Sequence, residues 1–299
     1  MSKKGWSEAD IPNLAGKTVV VTGSTSGIGR ETARAIAEKG GLVIMAVRNV
    51  EKGNSVADAL RSAVPDARIE VRHLDLSDLS SVRSFAKGFS GEFDRLDVLI
   101  NNAGIMMCPY SKTTDGFEMQ MGTNHLGHFA LTGLLMPLLK ATLDSRVVNV
   151  ASIAHRGGRI DLTDLNWDGR KYKTTQAYSD SKIANLYFTY ELGRHLQSDG
   201  ANPRILAAHP GWTATELQRH VGLFRLLNHI FAQKPAMGAL PTLRAAFDPD
   251  ANTGDYYGPS RFMEFNGPPV RVDTVGRAKS EQTAGKLWEL SEQMTGVSY

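Results

Sequence analysis

Short unbroken apolar runs recur through the first two thirds of the 299-residue chain, and between them apolar positions return every three or four residues. KTVVVTG (17–23) predicts a buried strand, and in the following IGRETARAIAEKG (28–40) Ile28, Ala33, Ile36 and Ala37 share one helical face. LVIMAV (42–47) predicts a second strand and NSVADALRSAV (54–64) a second helix. RIEVRHLDL (68–76), RLDVLINNAG (95–104), SRVVNVAS (145–152) and RILAAHPG (204–211) predict four more strands, and DYYG (255–258) a short last one. Helical patterns separate them, notably over 117–141 and 175–197. Strands apolar on both faces, alternating with helices, imply a parallel sheet covered on both sides. The expectation is an α/β fold: one doubly wound domain over 1–299 with a mostly parallel sheet of about seven strands.

Composition changes this picture little. Hydrophobic content of 41% and charged content of 22% are ordinary for a globular chain. A net charge of +3, spread along the sequence, gives no reason to expect a nucleic-acid partner. The single cysteine, Cys108, excludes an internal disulfide and reads as packing beside Met106 and Met107. MSKKGWSEADIPNLAGK at the N-terminus has no apolar signal-peptide core. The longest apolar stretch, FALTGLLMPLL (129–139), is short of the roughly 20 residues that cross a bilayer. A cytoplasmic protein without a transmembrane segment is expected.

In a doubly wound sheet, ligands bind beyond the carboxyl ends of the strands. The first strand runs into TGSTSGIG, with Gly23, Gly27 and Gly29. Glycines there permit a tight turn, bring backbone N–H groups near a pyrophosphate and let the helix pack closely on the strand. The second strand ends at Arg48, with Lys52 a turn further on, where an acidic residue would repel a 2′-phosphate. A guanidinium there favours NADP(H) over NAD(H); the alternative is a solvated surface arginine. Asp75 either accepts a bond from an adenine amino group or caps the helix that starts near Ser77. In NNAG (101–104) the small Ala103 and Gly104 admit a ribose or ring, and Asn101 and Asn102 can tie strand ends together.

QAYSDSKIAN (176–185) puts Tyr178, Lys182 and Asn185 on one helical face, at i, i+4 and i+7. Carbonyl reduction makes an alkoxide that needs a proton donor within hydrogen-bonding reach. A phenol is a poor shuttle near its ordinary pKa of about 10, and a neighbouring ammonium favours its ionised form. Ser152, at the end of the fifth strand, can hold the substrate oxygen against that phenol. His125 and His128 in NHLGHF have no third ligand at matching spacing, so no metal site is expected.

Together these stretches resemble the short-chain dehydrogenase/reductase family. The matches are TGSTSGIG (22–29), DL (75–76), NNAG (101–104), Asn124 in GTNHLGHF, Ser152 in NVASIAH, YSDSK (178–182) and HPGWTAT (209–215), in the family's order over about 15–215. VRNVEKG, GTNHLGHF, NVASIAHRGGRI and the gap of 178 − 152 = 26 positions look most like the retinol dehydrogenase and protochlorophyllide reductase branch. No cysteine lies near the Tyr–Lys pair, which argues against light-driven protochlorophyllide reduction.

The resemblance implies a Rossmann-type nucleotide-binding core at 15–215, with the substrate lid and C-terminal segment at 216–299. It implies Asn124, Ser152, Tyr178 and Lys182 as the catalytic set, Lys182 also bonding the nicotinamide ribose. Cofactor contacts would come from Gly23, Ser24, Thr25, Ser26, Gly27, Ile28, Gly29, Arg48, Asn49, Asp75, Leu76, Asn102, Ala103 and Gly104, besides Tyr178 and Lys182. Pro210, Gly211, Trp212, Thr213 and Thr215 would complete them, with Trp212 and Thr213 near the carboxamide and Thr215 near the phosphates. The reaction implied is hydride transfer between NADP(H) and a small carbonyl or alcohol. A silent NADP-binding sensor, or an epimerase or dehydratase using bound cofactor, are the rival readings. Val221, Leu223, Phe224, Leu226, Leu227, Ile230 and Phe231 form an apolar helical stripe. It reads as a lid over a hydrophobic substrate, a core element, a subunit interface or a membrane-surface helix. Helices 117–141 and 175–197 correspond to the family's usual dimer surface, so a homodimer or homotetramer is expected.

Overall fold

Alternation within the first strand sets the layers. Val19 and Val21 of β1 (Thr18–Thr22) belong to one apolar cluster and Val20 to another, on the opposite face of the sheet. A computed structural model describes residues 5–197, 203–213 and 233–299. After β1 come α1 (Gly27–Glu38), β2 (Leu42–Val47), α2 (Val50–Ala63), β3 (Ile69–His73), α3 (Leu79–Glu92) and β4 (Val98–Asn101). The chain continues through α4 (Met119–Met121), a π-helical turn (Gly122–Leu126), α5 (Gly127–Ala141), β5 (Arg146–Val150) and α6 (Thr174–Gln197). It ends with β6 (Arg204–Ala208), α7 (Pro235–Phe247), β7 (Tyr256–Arg261), β8 (Asn266–Arg271) and α8 (Glu281–Thr295).

The strands make one sheet in the order β3-β2-β1-β4-β5-β6-β7-β8, parallel except for the β7–β8 pair. The order reverses between β1 and β4, whose register runs Val19–Val98 to Val21–Ile100, so a crevice opens beyond those two strand ends. α1 and α7 cover one face with Ile36, Leu240 and Leu243. α3, α5, α6 and α8 cover the other with Phe85, Phe89, Phe129, Phe188 and Trp288.

The sheet has eight strands where about seven were expected, because NGPPVR forms β8. Pro268 and Pro269 argue against a strand, yet an edge strand tolerates prolines, since its outward N–H groups have no ladder partner to lose. α2 begins at Val50 rather than 54, since the Asn49 side chain accepts from the Lys52 amide and caps it. The expected helix 117–141 is interrupted: Gly127 N–H bonds the Gly122 carbonyl, five residues back, which is one π turn around Asn124. Beyond β8 the C-terminal segment carries α8, whose Ala284, Leu287, Trp288 and Ser291 are buried at helical spacing.

Candidate functional site

The glycine turn is built for close approach. Gly23 and Gly27 have φ of +67° and +52°, the left-handed region that glycine enters without a Cβ penalty. A Cβ on Gly29 would collide with the Gly23 carbonyl and lie 2.5 Å from Asn102 Nδ2. Ser26 caps α1 by position without a side-chain hydrogen bond, so the first-turn amides of α1 face the loop as anion donors. Ser24 is fully buried beside them with no partner for its hydroxyl. Thr25 and Ile28 belong to the same turn, Thr25 half-buried and Ile28 buried. This cradle, with its orphaned hydroxyl, fits the diphosphate of a dinucleotide.

Around the turn, Asn102 Nδ2 donates to the Thr22 carbonyl at 2.8 Å, tying β4 to β1. Asn101 Nδ2 donates to Asn149 Oδ1 at 2.8 Å and Thr132 Oγ1 at 3.0 Å, tying β4 to β5 and α5. Arg48 is exposed at the carboxyl end of β2 and Asn49 spends its side-chain oxygen on α2. Asp75 does not cap α3; Asp78 does, accepting from the Ser80 amide at 2.8 Å. Asp75 Oδ1 instead accepts from the Ser77 amide at 2.9 Å and hydroxyl at 2.6 Å, closing the turn after β3. Buried Leu76 presents its carbonyl where a Cβ on Gly127 would strike it, so α5 passes tightly over this turn.

Tyr178, Lys182 and Asn185 lie on α6 and converge on the end of β5. Lys182 Nζ donates to the Val150 carbonyl at 3.1 Å, and Asn185 Nδ2 donates to the same oxygen at 3.2 Å. The Tyr178 and Ser152 side chains are hydrogen-bonded, and Ser152 also accepts from the Ala154 amide at 3.1 Å. The Lys182 ammonium is 5.8 Å from the centre of the Tyr178 ring. A Cβ on Gly104 would sit 3.2 Å from Asn124 Oδ1 and 3.3 Å from Lys182 Nζ, which places that glycine against both groups. Asn124 is buried in the π turn; its Oδ1 accepts from the Ile105 amide at 2.8 Å and its Nδ2 donates to Ser181 Oγ at 2.9 Å.

The electrostatics differ from expectation. Burial pushes the Tyr178 phenol up to about 12, and only the Ser152 hydrogen bond pulls it down. Burial also lowers the Lys182 ammonium to about 8. In the protein alone the phenol is therefore held protonated by its burial rather than poised to ionise.

The HPGWT loop after β6 is fixed by the β7–β8 hairpin. Gly211 has φ +64°, and a Cβ there would collide with the Phe265 carbonyl. The Trp212 amide donates to that carbonyl at 2.8 Å, and Thr213 Oγ1 donates to the Pro210 carbonyl at 2.8 Å. Buried His209 accepts from the Gly211 amide on Nδ1 at 3.2 Å, so its Nε2–H donates to Glu264 Oε2 at 3.0 Å. Thr215 and the 221–231 stripe lie outside the described residues.

Sequence reasoning missed a second network beside the site. Buried Glu118 accepts from the Gln120 and Met121 amides and from the Tyr172 hydroxyl at 2.7 Å, and its carboxyl is raised by burial. Gln120 Oε1 accepts from the Met107 amide at 2.7 Å while its Nε2 donates to Tyr172. This joins the loop after NNAG to the segment before α6. A polar pair ahead of an apolar helix was the signal, but its partner Tyr172 is more than fifty positions away.

Comparison with known proteins agrees with this architecture. The family model for short chain dehydrogenase matches residues 17–224. Human retinol dehydrogenase 13 is 42% identical over 97% of this chain and 87% of its own. Human retinol dehydrogenase 12 is 43% identical over 96% and 88%. Among solved structures, an uncharacterised protein from Mycobacterium paratuberculosis is 47% identical, with TM-score 0.85 and 99% of each chain covered. A short chain dehydrogenase from Escherichia coli complexed with NADPH is 25% identical, with TM-score 0.65, covering 82% of this chain and 96% of that one. The glycine cradle, the Ser–Tyr–Lys convergence and these likenesses lead to one conclusion: the chain belongs to the short-chain dehydrogenase family and is an oxidoreductase of alcohol or carbonyl groups.

Proposed function

We propose that the protein transfers hydride between NADP(H) and a hydrophobic carbonyl or alcohol, with Tyr178 as the acid/base. The observation that carries this reading is the convergence of Tyr178, Ser152 and Lys182 at the end of β5. The nicotinamide supplies or receives the hydride when bound. Tyr178, kept protonated by its burial, gives its proton to the substrate oxygen in reduction and takes one in oxidation. Ser152 fixes that oxygen against the phenol. Lys182, predominantly charged at neutral pH, favours the phenolate left after proton transfer and would bond the nicotinamide ribose of a bound cofactor. Asn124 supports the proton path from the π turn, and the turn after β1 holds the diphosphate.

Preference for NADP(H) is supported by Arg48 in place of an acidic residue after β2, and by the relative complexed with NADPH. A hydrophobic substrate is supported by relatives named retinol dehydrogenases and by the apolar stripe at 221–231. We further propose that the whole chain works as one domain, in a homodimer or homotetramer, in the cytoplasm. Among the described residues no helix is long and apolar enough to cross a membrane.

The test is a panel of aldehydes and ketones, retinaldehyde included, scored by NADPH consumption with NADH alongside. Tyr178→Phe should lower turnover by roughly 10²- to 10⁴-fold while NADPH affinity stays within about twofold. NADPH binding by the wild type without consumption of any carbonyl would replace the reductase by a sensor.

A further inference from the structure

His128 lies four residues after Asn124, fully buried, and its neighbours fix its chemical state. Its Nδ1 is 3.0 Å from the Asn124 carbonyl, an oxygen that only accepts, so Nδ1 carries a hydrogen. Burial, with a lesser contribution from Lys182, lowers its pKa to about 4, so the ring is neutral and Nε2 is an acceptor. Nε2 is 2.9 Å from Thr22 Oγ1 and takes the hydroxyl hydrogen. The other candidate for that hydrogen, the Ile100 carbonyl, is at the long distance of 3.4 Å. Both lone pairs of Thr22 Oγ1 are then used by the Asn102 and Ala103 amides, each at 2.9 Å.

One imidazole thus joins two halves of the site. Through Thr22 it sets the main chain of Asn102 and Ala103, against which a bound nicotinamide ribose would rest. Through the Asn124 carbonyl it pins the π turn, from which Asn124 reaches Ser181 on α6, and Ser181 donates to the Tyr178 carbonyl at 2.8 Å. We propose that His128 is a positioning residue for the reaction, aligning the cofactor floor with the Asn124–Tyr178–Lys182 group through two separable hydrogen bonds. This rests on the reductase reading above, but its two bonds can be read independently of turnover.

Asparagine and glutamine separate them. The Asn amide reaches only as far as Nδ1, so His128→Asn keeps the donor to Asn124 and loses the acceptor for Thr22. The Gln amide reaches as far as Nε2, so His128→Gln keeps the Thr22 bond and loses the other. His128→Asn should weaken NADPH affinity, read by nicotinamide fluorescence, by roughly three- to tenfold with kcat within about twofold. His128→Gln should do the reverse, lowering kcat by roughly three- to tenfold with NADPH affinity preserved. Equal losses of both quantities in both variants, or no loss in either, would overturn the proposal. Nitrogen NMR of the labelled wild-type chain, assigned through its backbone, needs neither variant to fold. It should find His128 with hydrogen on Nδ1, and the opposite tautomer would also overturn the proposal. A wild type that binds NADPH but reduces nothing defeats the reductase reading, while the tautomer and the affinity loss in His128→Asn still report on His128.

Discussion

Removing the charge of Lys182 should stabilise this protein while disabling it. The ammonium is buried, bonded to the neutral Val150 carbonyl, and its pKa falls from 10.5 to about 8 through burial alone. Each pKa unit is worth about 1.4 kcal/mol, so a shift of 10.5 − 8 = 2.5 costs the folded state about 3 kcal/mol at pH 7. The sign follows from proton counts. Below pH 8 both folded and unfolded chains hold the proton and the full penalty applies. Between 8 and 10.5 the folded chain has released it and the unfolded chain has not, so stability rises with pH. The penalty therefore shrinks to about 2 kcal/mol at pH 9 and about 1 kcal/mol at pH 10.

Lys182→Met keeps the length of the side chain and removes the charge, and Asn185 still satisfies the Val150 carbonyl. Urea unfolding of the cofactor-free protein at pH 7, 9 and 10 measures the difference directly, because other titrating groups cancel between the two chains. The variant should gain about 3 kcal/mol at pH 7, and the gain should fade with rising pH. Its carbonyl reduction should drop by roughly 10²-fold or more. A variant less stable than the wild type at pH 7, or a gain that does not change between pH 7 and 10, would refute the buried-charge argument.

Three further outcomes are expected. Arg48→Asp should reverse cofactor preference, raising KM for NADPH by roughly tenfold or more and leaving NADH usable, as read from initial rates with each. His155→Gln should flatten acid unfolding. Burial holds the neutral His155 at about 4 against 6.5, so stability is lost as pH falls between those values, and removing one such proton should lower the slope by about 1.4 kcal/mol per pH unit in urea melts. Asn185→Asp puts a carboxylate at the oxygen that holds the Lys182 ammonium. The lysine titration, followed by NMR, should move up from about 8 and turnover should fall by roughly tenfold or more.

Much of the fold was legible because each buried strand leaves an unmistakable apolar run, and strand–helix alternation allows few topologies. β8 was hidden because its prolines are evidence against a strand everywhere except at an edge. The convergence of Ser152, Tyr178 and Lys182 was legible because they sit at strand ends or repeat along one helical face. Val150 was not, since it acts through its carbonyl and any side chain supplies one. Glu118, Gln120 and Tyr172 escaped because their network closes only when two distant loops meet. The sequence could place the lysine near the phenol, but the phenol's state depends on how much water the fold removes from it, which no spacing records.

That last point explains why the site is assembled from neutral partners. Lys182 bonds a carbonyl, His128 a carbonyl and a hydroxyl, and Asn124 an amide, a carbonyl and a hydroxyl. A carboxylate beside Lys182 would relieve the burial penalty, but at that range it would also cancel the ammonium's field at the Tyr178 oxygen. A carbonyl dipole orients the ammonium without neutralising it. On the proposed mechanism the positive charge then stays available to the phenolate that would form when Tyr178 gives up its proton, and the folded state bears the cost. The rest of the chain makes that cost bearable, because both faces of the sheet bury large continuous apolar clusters.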